Sequence, residues 1–269
     1  MRSVVIVPVR QTPEVLGRSL ACLARCGARG YWFTDDNTDP ASSTMLRSWA
    51  ADRGGRIFDP PPRVGTYARA EGIHQWDDTS CRRVGSMFDT MIEAFLQSSY
   101  DAAFFVGSDV LVPPGLVAHL AGLDVPIACE VYWTRWTPER VPMPQVWDFH
   151  PGGYDSVESV LRLREPGLYR VYGQGACTLV QREVLEAGVR FADVPGVRLI
   201  GEDRHFCIRA AALGFDMWAD THMPPFHVYR DSQLPEADAW IAAGCPADWF
   251  RTRWLDAEWE GALRASTGR

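Results

Sequence analysis

Apolar residues along this chain fall into short β-branched runs alternating with stretches of helical period. Val4 to Val9 is a run closed by Pro8 and Arg10, which predicts a strand buried on both faces. Thr12-Pro13-Glu14 predicts a helix start, with Thr12 as cap and Pro13 in the first turn. Val15, Leu16, Leu20, Leu23 and Ala24 then recur at helical spacing as far as Gly27 or Gly30. Tyr31-Trp32-Phe33 predicts a second strand, Ser43 to Ala51 a helix, and Arg56 to Phe58 a third strand. Residues 59–80 carry proline, glycine and aspartate without period, a loop long enough to be functional. Cys81 to Gln97 is strongly amphipathic, with Val84, Met87, Phe88, Met91, Ile92 and Phe95 on one face. Phe104 to Val110 predicts a buried strand running into a carboxylate.

The second half repeats the alternation less regularly. Leu116 to Leu123 predicts a helix and Val125 to Val131 a strand. From Tyr132 to Tyr154, tryptophans, tyrosines and prolines mix without period, which predicts an irregular lobe over the sheet. Leu168 to Val180 has strand character through Gly173-Gln174-Gly175, Arg182 to Ala187 is a short helix, and Asp203 to Leu213 is a helix ended by Gly214. Phe215 to Ala219 is a further strand. The last segment is rich in tryptophan. Strands alternating with helices predict an α/β fold around a mostly parallel sheet flanked by helices.

Composition narrows the function. The 269 residues are 46% hydrophobic with a net charge of −7, enough for one large domain, and without a basic run that would bind nucleic acid. Seven cysteines show no CxxC pair, as expected for buried thiols in a reducing compartment. No stretch reaches the ~18 apolar residues of a membrane span, and the apolar start is too short for a signal peptide. A cytoplasmic location is expected.

The chemistry concentrates at two acidic motifs, Gly107-Ser108-Asp109 at the end of a strand and Glu202-Asp203 at the start of a helix. Carboxyl ends of strands are where open α/β sheets bind ligands. Each motif also has a plainer reading: Asp109 as a turn residue, and Glu202-Asp203 as carboxylates offsetting a helix dipole.

Taken in order, the motifs resemble those of GT-A glycosyltransferases of the family-2 type, over roughly Val4 to Val228. Val-Ile-Val-Pro-Val-Arg resembles the opening strand, whose end (Pro8, Val9, Arg10) contacts the nucleotide. Thr34-Asp35-Asp36-Asn37 resembles the second strand's acidic end, where a carboxylate reads the nucleobase imide; Asp36 is preferred and Asp35 comes next, although the same residues suit a loop and helix cap. Arg82-Arg83 resembles the basic nucleotide contact, with Arg83 preferred. Gly107-Ser108-Asp109 stands at the DXD position, with Ser108 and Asp109 toward the donor. Glu202-Asp203 resembles the acceptor-site motif, and Pro225-Phe226-His227 the late metal-binding histidine; His222 is a weaker candidate. The first DXD aspartate is replaced by Gly107, which weakens the metal site.

The resemblance implies a GT-A, Rossmann-like domain over residues 1–228, with a nucleotide-binding half (about 1–112) and an acceptor-binding half (about 113–228). The tryptophan-rich helical tail (229–269) reads, from its own spacing, as a packed helix or one that supports a homodimer, rather than a membrane anchor. The resemblance also implies transfer of a sugar from a nucleotide-sugar donor to an acceptor hydroxyl. A Mn²⁺ or Mg²⁺ ion on Asp109 and His227 would assist, the imidazole favouring Mn²⁺. Asp203 would be the base of an inverting displacement and Glu202 its helper. Trp133, Trp136 and Trp147 either line the acceptor pocket or pack the lobe down. The residue 59–80 loop would close over the donor. A retaining enzyme of the same fold and a non-catalytic nucleotide-sugar-binding protein are the alternatives; a nucleotidyltransferase fits less, because Arg10-Gln11-Thr12-Pro13 has no glycine cluster.

Overall fold

A computed structural model describes residues 1–63, 69–70, 73–74, 77–138, 140–147 and 156–267. Eight strands form one sheet: β1 (Ser3–Val9), β2 (Gly30–Asp35), β3 (Arg56–Phe58), β4 (Ala102–Phe105), β5 (Ile127–Glu130), β6 (Leu168–Val171), β7 (Thr178–Gln181) and β8 (Met217–Asp220). Their order across the sheet is β6-β8-β5-β7-β4-β1-β2-β3. Only β7 and β6 run against the rest; β1–β2, β1–β4, β2–β3 and β5–β8 pair in parallel.

The β-branched run of β1 has its reason here. Val4, Val5 and Ile6 are fully buried, because the strand lies inside the sheet with helices over both faces. Helix α1 (Pro13–Leu23) packs against α2 (Pro40–Asp52). Pro13 sits in the first turn of α1 as expected, but the Thr12 hydroxyl makes no capping bond. Asp39 caps α2 through the Ala41 N–H at 2.8 Å. Helix α3 (Asp78–Leu96) begins three residues before the expected Cys81, because Asp77 accepts the Ser80 N–H at 2.7 Å and starts the helix there. It buries Met87, Phe88, Met91, Ile92 and Phe95.

The Phe104 to Val110 run is not one strand. β4 ends at Phe105, residues 107–109 turn, and Val110–Leu111 pairs antiparallel with Phe226–His227. Likewise Leu168 to Val180 divides into β6, the pair Gly173–Gln174, and β7. Glycines at 173 and 175 and the left-handed Cys177 (φ 72°) interrupt it. Residues 64–68, 71–72 and 75–76 of the expected lid, and Phe149 and Tyr154 of the lobe, lie outside the described residues. Within that lid segment Arg69–Ala70 pairs antiparallel with Ile73–His74.

The remaining helices are α4 (Leu116–Gly122), α5 (Val157–Arg162), α6 (Arg182–Glu186), α7 (Glu202–Ala212), α8 (Leu234–Ala242), α9 (Trp249–Arg253) and α10 (Ala257–Thr267). The tail helices α8 to α10 join the same hydrophobic core as the sheet. Trp240, Phe250 and Trp254 surround the Phe226 ring, with centroids 5.9, 5.6 and 5.7 Å away. Arg18 on α1 holds Asp238 on α8 with two bonds, at 2.6 and 2.7 Å. The tail's tryptophans are thus buried within the chain, as the packed-helix reading expects. No helix among the described residues is long and apolar enough to cross a membrane.

Candidate functional site

A cavity of about 1070 Å³ opens at the carboxyl ends of β1 and β4. Four groups of residues separated along the chain meet in it: Pro8, Val9 and Arg10; Asp36, Arg63 and Arg83; Ser108 and Asp109; and Glu202, Asp203 and His227. Tyr132, Trp136, Trp147, Gln174 and Tyr229 line it as well.

Asp36 lies at one end, 3% exposed. Arg83 grips it with a fork, Nη2 to Oδ1 at 2.7 Å and Nε to Oδ2 at 3.1 Å. Arg63 Nε reaches Oδ1 at 3.3 Å and Arg10 Nη1 lies 3.6 Å from Oδ2. The carboxylate is therefore taken up by three guanidinium groups, and a nucleobase imide would have to displace one of them. One negative charge against three positive ones leaves a net cationic wall, suited to an anion. Asp35 turns elsewhere: its oxygens meet Asn37 Nδ2 (2.9 Å), Ser43 Oγ (3.1 Å) and Arg47 Nη2 (3.0 Å), and it does not line the cavity. Of the arginine pair, Arg83 faces the cavity while Arg82 turns out to Asp193 at 2.7 Å.

The short Val110–Leu111 ladder sets Asp109 beside His227. Val228 N–H donates to the Asp109 carbonyl at 2.9 Å, and His227 Nε2 lies 3.6 Å from Asp109 Oδ2. His227 Nδ1 is 2.7 Å from the Thr134 hydroxyl, which fixes the ring with Nε2 toward Asp109. One oxygen and one imidazole nitrogen at that separation fit neighbouring positions on a hard divalent cation, with phosphates and water completing the shell. A Cβ at Gly107 would lie 2.8 Å from Asp109 Oδ1, so a side chain there would crowd the carboxylate in its present pose.

Glu202 and Asp203 open α7. Gly201 before them has φ +121°, and a Cβ there would come within 2.6 Å of Asp203 Oδ1; glycine lets the chain enter the helix with the carboxylate tucked back. Both groups border the cavity, and protein encloses the rest of each. Burial, then the neighbouring Asp203, pushes the Glu202 carboxyl well above the carboxylate range. Burial also raises Asp203, against the Arg204 N–H that it accepts at 2.8 Å. The helix dipole favours both anions, but desolvation outweighs it, and the pair holds a proton more tightly than free carboxylates do.

Burial, and after it the charges of Asp109 and Asp203, raise the hydroxyl of Tyr132, 5% exposed, well above the usual tyrosine value. Tyr132 thus stands in the field of the two acidic motifs. Gln174 is 2% exposed, and neither its Oε1 nor its Nε2 has a hydrogen-bond partner among the described residues. Trp147 lines the cavity under Arg204, whose Cζ lies 5.9 Å from the ring centre. Trp136 is exposed at the rim against Tyr229. Trp133 is absent from the cavity wall: it is 2% exposed and packs edge-on against Trp259 of the tail at 5.7 Å. For this one tryptophan the packing role holds.

Arg63, Tyr132 and Gln174 were not among the residues singled out from sequence. Arg63 follows a proline run that reads as loop, and Tyr132 reads as one aromatic among many. Gln174 sits between two glycines, which signals a close backbone approach but says nothing of what its amide faces.

No family model matches the chain, and no curated protein does. Among solved structures, one titled "Crystal Structure of a Mycobacterial Protein" aligns over 90% of this chain and 73% of its own, at 15% identity and a TM-score of 0.47. Likeness at that level transfers neither fold detail nor activity.

Proposed function

We propose that the chain is a nucleotide-sugar-dependent glycosyltransferase of the GT-A type. The observation that carries this reading is the convergence, in one cavity at the carboxyl edge of the sheet, of a cationic wall, an oxygen–imidazole pair and two proton-holding carboxyl groups. The cationic wall is Arg10, Arg63 and Arg83 around Asp36; the pair is Asp109 with His227; the acids are Glu202 and Asp203. Such a set suits a substrate with a diphosphate leaving group and a hydroxyl nucleophile.

In this reading the nucleoside lies against Pro8 and Val9. Asp36 serves to orient the three arginines rather than to read a base. The guanidinium groups bind the diphosphate and stabilise the charge that builds on it as the bond to the sugar's anomeric carbon breaks. A divalent cation, Mn²⁺ or Mg²⁺, held by Asp109 Oδ2 and His227 Nε2 supplies Lewis-acid stabilisation to the same leaving group when bound.

Asp203 takes the proton from the acceptor hydroxyl while that oxygen forms its bond to the anomeric carbon. The electron pair of the broken bond leaves with the nucleoside diphosphate, and the centre inverts. A base whose pKa is raised by burial accepts a proton readily near neutral pH. Glu202, next to it, binds or orients the acceptor. Gln174, with its unpaired amide, and Trp147 form the acceptor side of the cavity.

A thermal-shift screen tests the reading. Nucleoside diphosphates and their sugar conjugates are presented with Mn²⁺, and a ligand at a hundred times its Kd adds about 2.7 kcal/mol of stability. At least one base series is expected to raise Tm in wild type and not in Arg83→Ala. No shift with any donor would remove the proposal's basis.

A further inference from the structure

A second set of ligating side chains lies outside the cavity, at the end of β8. Asp220 closes β8 and is fully buried. His119 from α4 brings Nε2 to its Oδ2 at 2.7 Å, and His222, two residues on, brings Nδ1 to Oδ1 at 2.7 Å. One donor atom from each of the three residues lies within 4.8 Å of the others. The imidazole rings stand 5.8 Å apart, tilted by 60°. Asp220 is enclosed, whereas His119 is part-open and His222 exposed, so the cluster has one protein side and one solvent side.

An independent feature sits next to it. Glu130 pairs in register with Asp220 across β5 and β8, and is 1% exposed. Its Oε1 accepts the Met223 N–H at 2.7 Å, while Oε2 meets no hydrogen-bond donor among the described residues. Glu130 is thus the buried neighbour of Asp220 within the sheet. A carboxylate backed by such an outer partner, with two imidazoles beside it, is how proteins present ligands to a metal ion.

We propose that His119, Asp220 and His222 form a binding site for one divalent transition-metal ion of the zinc class. Two imidazoles and one carboxylate make a three-ligand set with the fourth position left to water on the open side. With bonds of about 2.0–2.1 Å, ligands around a tetrahedral ion stand roughly 3.3 Å apart, so each imidazole nitrogen, now 2.7 Å from its carboxylate oxygen, moves out by about 0.6 Å, and donor atoms up to 4.8 Å apart draw together. Each imidazole then carries its proton on the other ring nitrogen. The nitrogen ligands select zinc-like ions over magnesium and calcium.

The bound ion clips α4 to the segment from His222 to Phe226, whose end sets His227 at the cavity. It is a structural clamp. The assignment is independent of the glycosyltransferase reading, because none of its three ligands lines the cavity.

Calorimetry on the chelator-treated full chain, titrated with ZnCl₂, tests it. CoCl₂ gives a parallel optical readout of tetrahedral coordination. One tightly bound equivalent of Zn²⁺ is expected in wild type, His227→Ala and Asp109→Ala alike, separate from any weaker binding at the Asp109–His227 pair. Binding should weaken at least tenfold in both His119→Gln and His222→Gln. Glutamine keeps a hydrogen-bond donor for the buried Asp220, so these variants should fold, as circular dichroism in metal-free buffer would verify. Absence of stoichiometric Zn²⁺ binding in wild type overturns the site. So does binding that persists in both glutamine variants, whether or not it vanishes in His227→Ala.

Discussion

Arg83 holds Asp36 by both arms of its guanidinium, at 2.7 and 3.1 Å, and donates a third and fourth bond to the carbonyls of Pro61 (2.6 Å) and Pro62 (2.7 Å). This arginine therefore joins the end of β2 to the segment entering the expected lid. Lysine has neither the planar fork nor the donors to replace it. Arg83→Lys should weaken nucleoside diphosphate binding by about 1–3 kcal/mol, the range for lost charge-assisted hydrogen bonds. Isothermal calorimetry checks it; an unchanged affinity would separate Arg83 from the anion.

Glu202 and Asp203 give a pH signature with two opposite slopes. A carboxyl whose folded pKa is raised contributes stability that is complete below the ordinary carboxylate range. That stability is lost as pH rises through the raised value. Tm should therefore fall from mildly acidic to mildly alkaline pH, and Glu202→Gln should flatten the decline. The rate should climb over the same window as the pair gives up its proton and a base becomes free. Thermal unfolding and kcat/KM measured in the same buffers would check both slopes; a rate that falls as pH rises through the window contradicts a carboxylate base.

Asp203→Asn should keep donor affinity and lose turnover by about two to four orders of magnitude, the usual worth of a positioned base. Glu202→Gln should be milder. The product's anomeric configuration, read by NMR coupling, should be opposite to the donor's. Retention, or an Asp203→Asn rate within about tenfold of wild type, would leave Asp203 as an acceptor-binding residue of α7.

Gln174 offers the converse kind of test. Its buried amide has both ends unpaired, so replacing it with an apolar residue of similar size removes a desolvation cost. Gln174→Leu should leave stability unchanged or raise it, while the acceptor's KM rises and donor affinity stays constant. A variant that loses stability and keeps its acceptor KM would mean that the amide is packed rather than waiting for a ligand.

Periodicity along the chain revealed much of this fold. The β-branched run of β1 and the apolar face of α3 had only one burial solution, and both appear where the pattern put them. Boundaries failed where a single polar residue decided them, as with Asp77 starting α3. The two acidic motifs were legible because a carboxylate at a strand end or a helix start is conspicuous among apolar neighbours. The environment of each was not. Asp36 and Asp35 are adjacent and chemically identical, yet one faces three arginines in the cavity and the other bonds the side chains of Ser43 and Arg47 on α2. Trp133 could not be told from Trp147, since the former's contact with Trp259 comes from the far end of the chain and leaves no local mark. The His119–Asp220–His222 cluster joins residues about a hundred positions apart, and no local pattern announces it.

Donor consumption separates a glycosyltransferase from a protein that only binds nucleotide sugars. The chain is incubated with a panel of nucleotide sugars and Mn²⁺, and released nucleoside diphosphate is measured with and without added hydroxyl acceptors. At least one donor should be turned over, with turnover dependent on the cation and abolished in Asp109→Ala and Arg83→Ala, both still folded. Failure of every donor to be bound and consumed by the wild-type chain, with either Mn²⁺ or Mg²⁺ present, would contradict the glycosyltransferase reading.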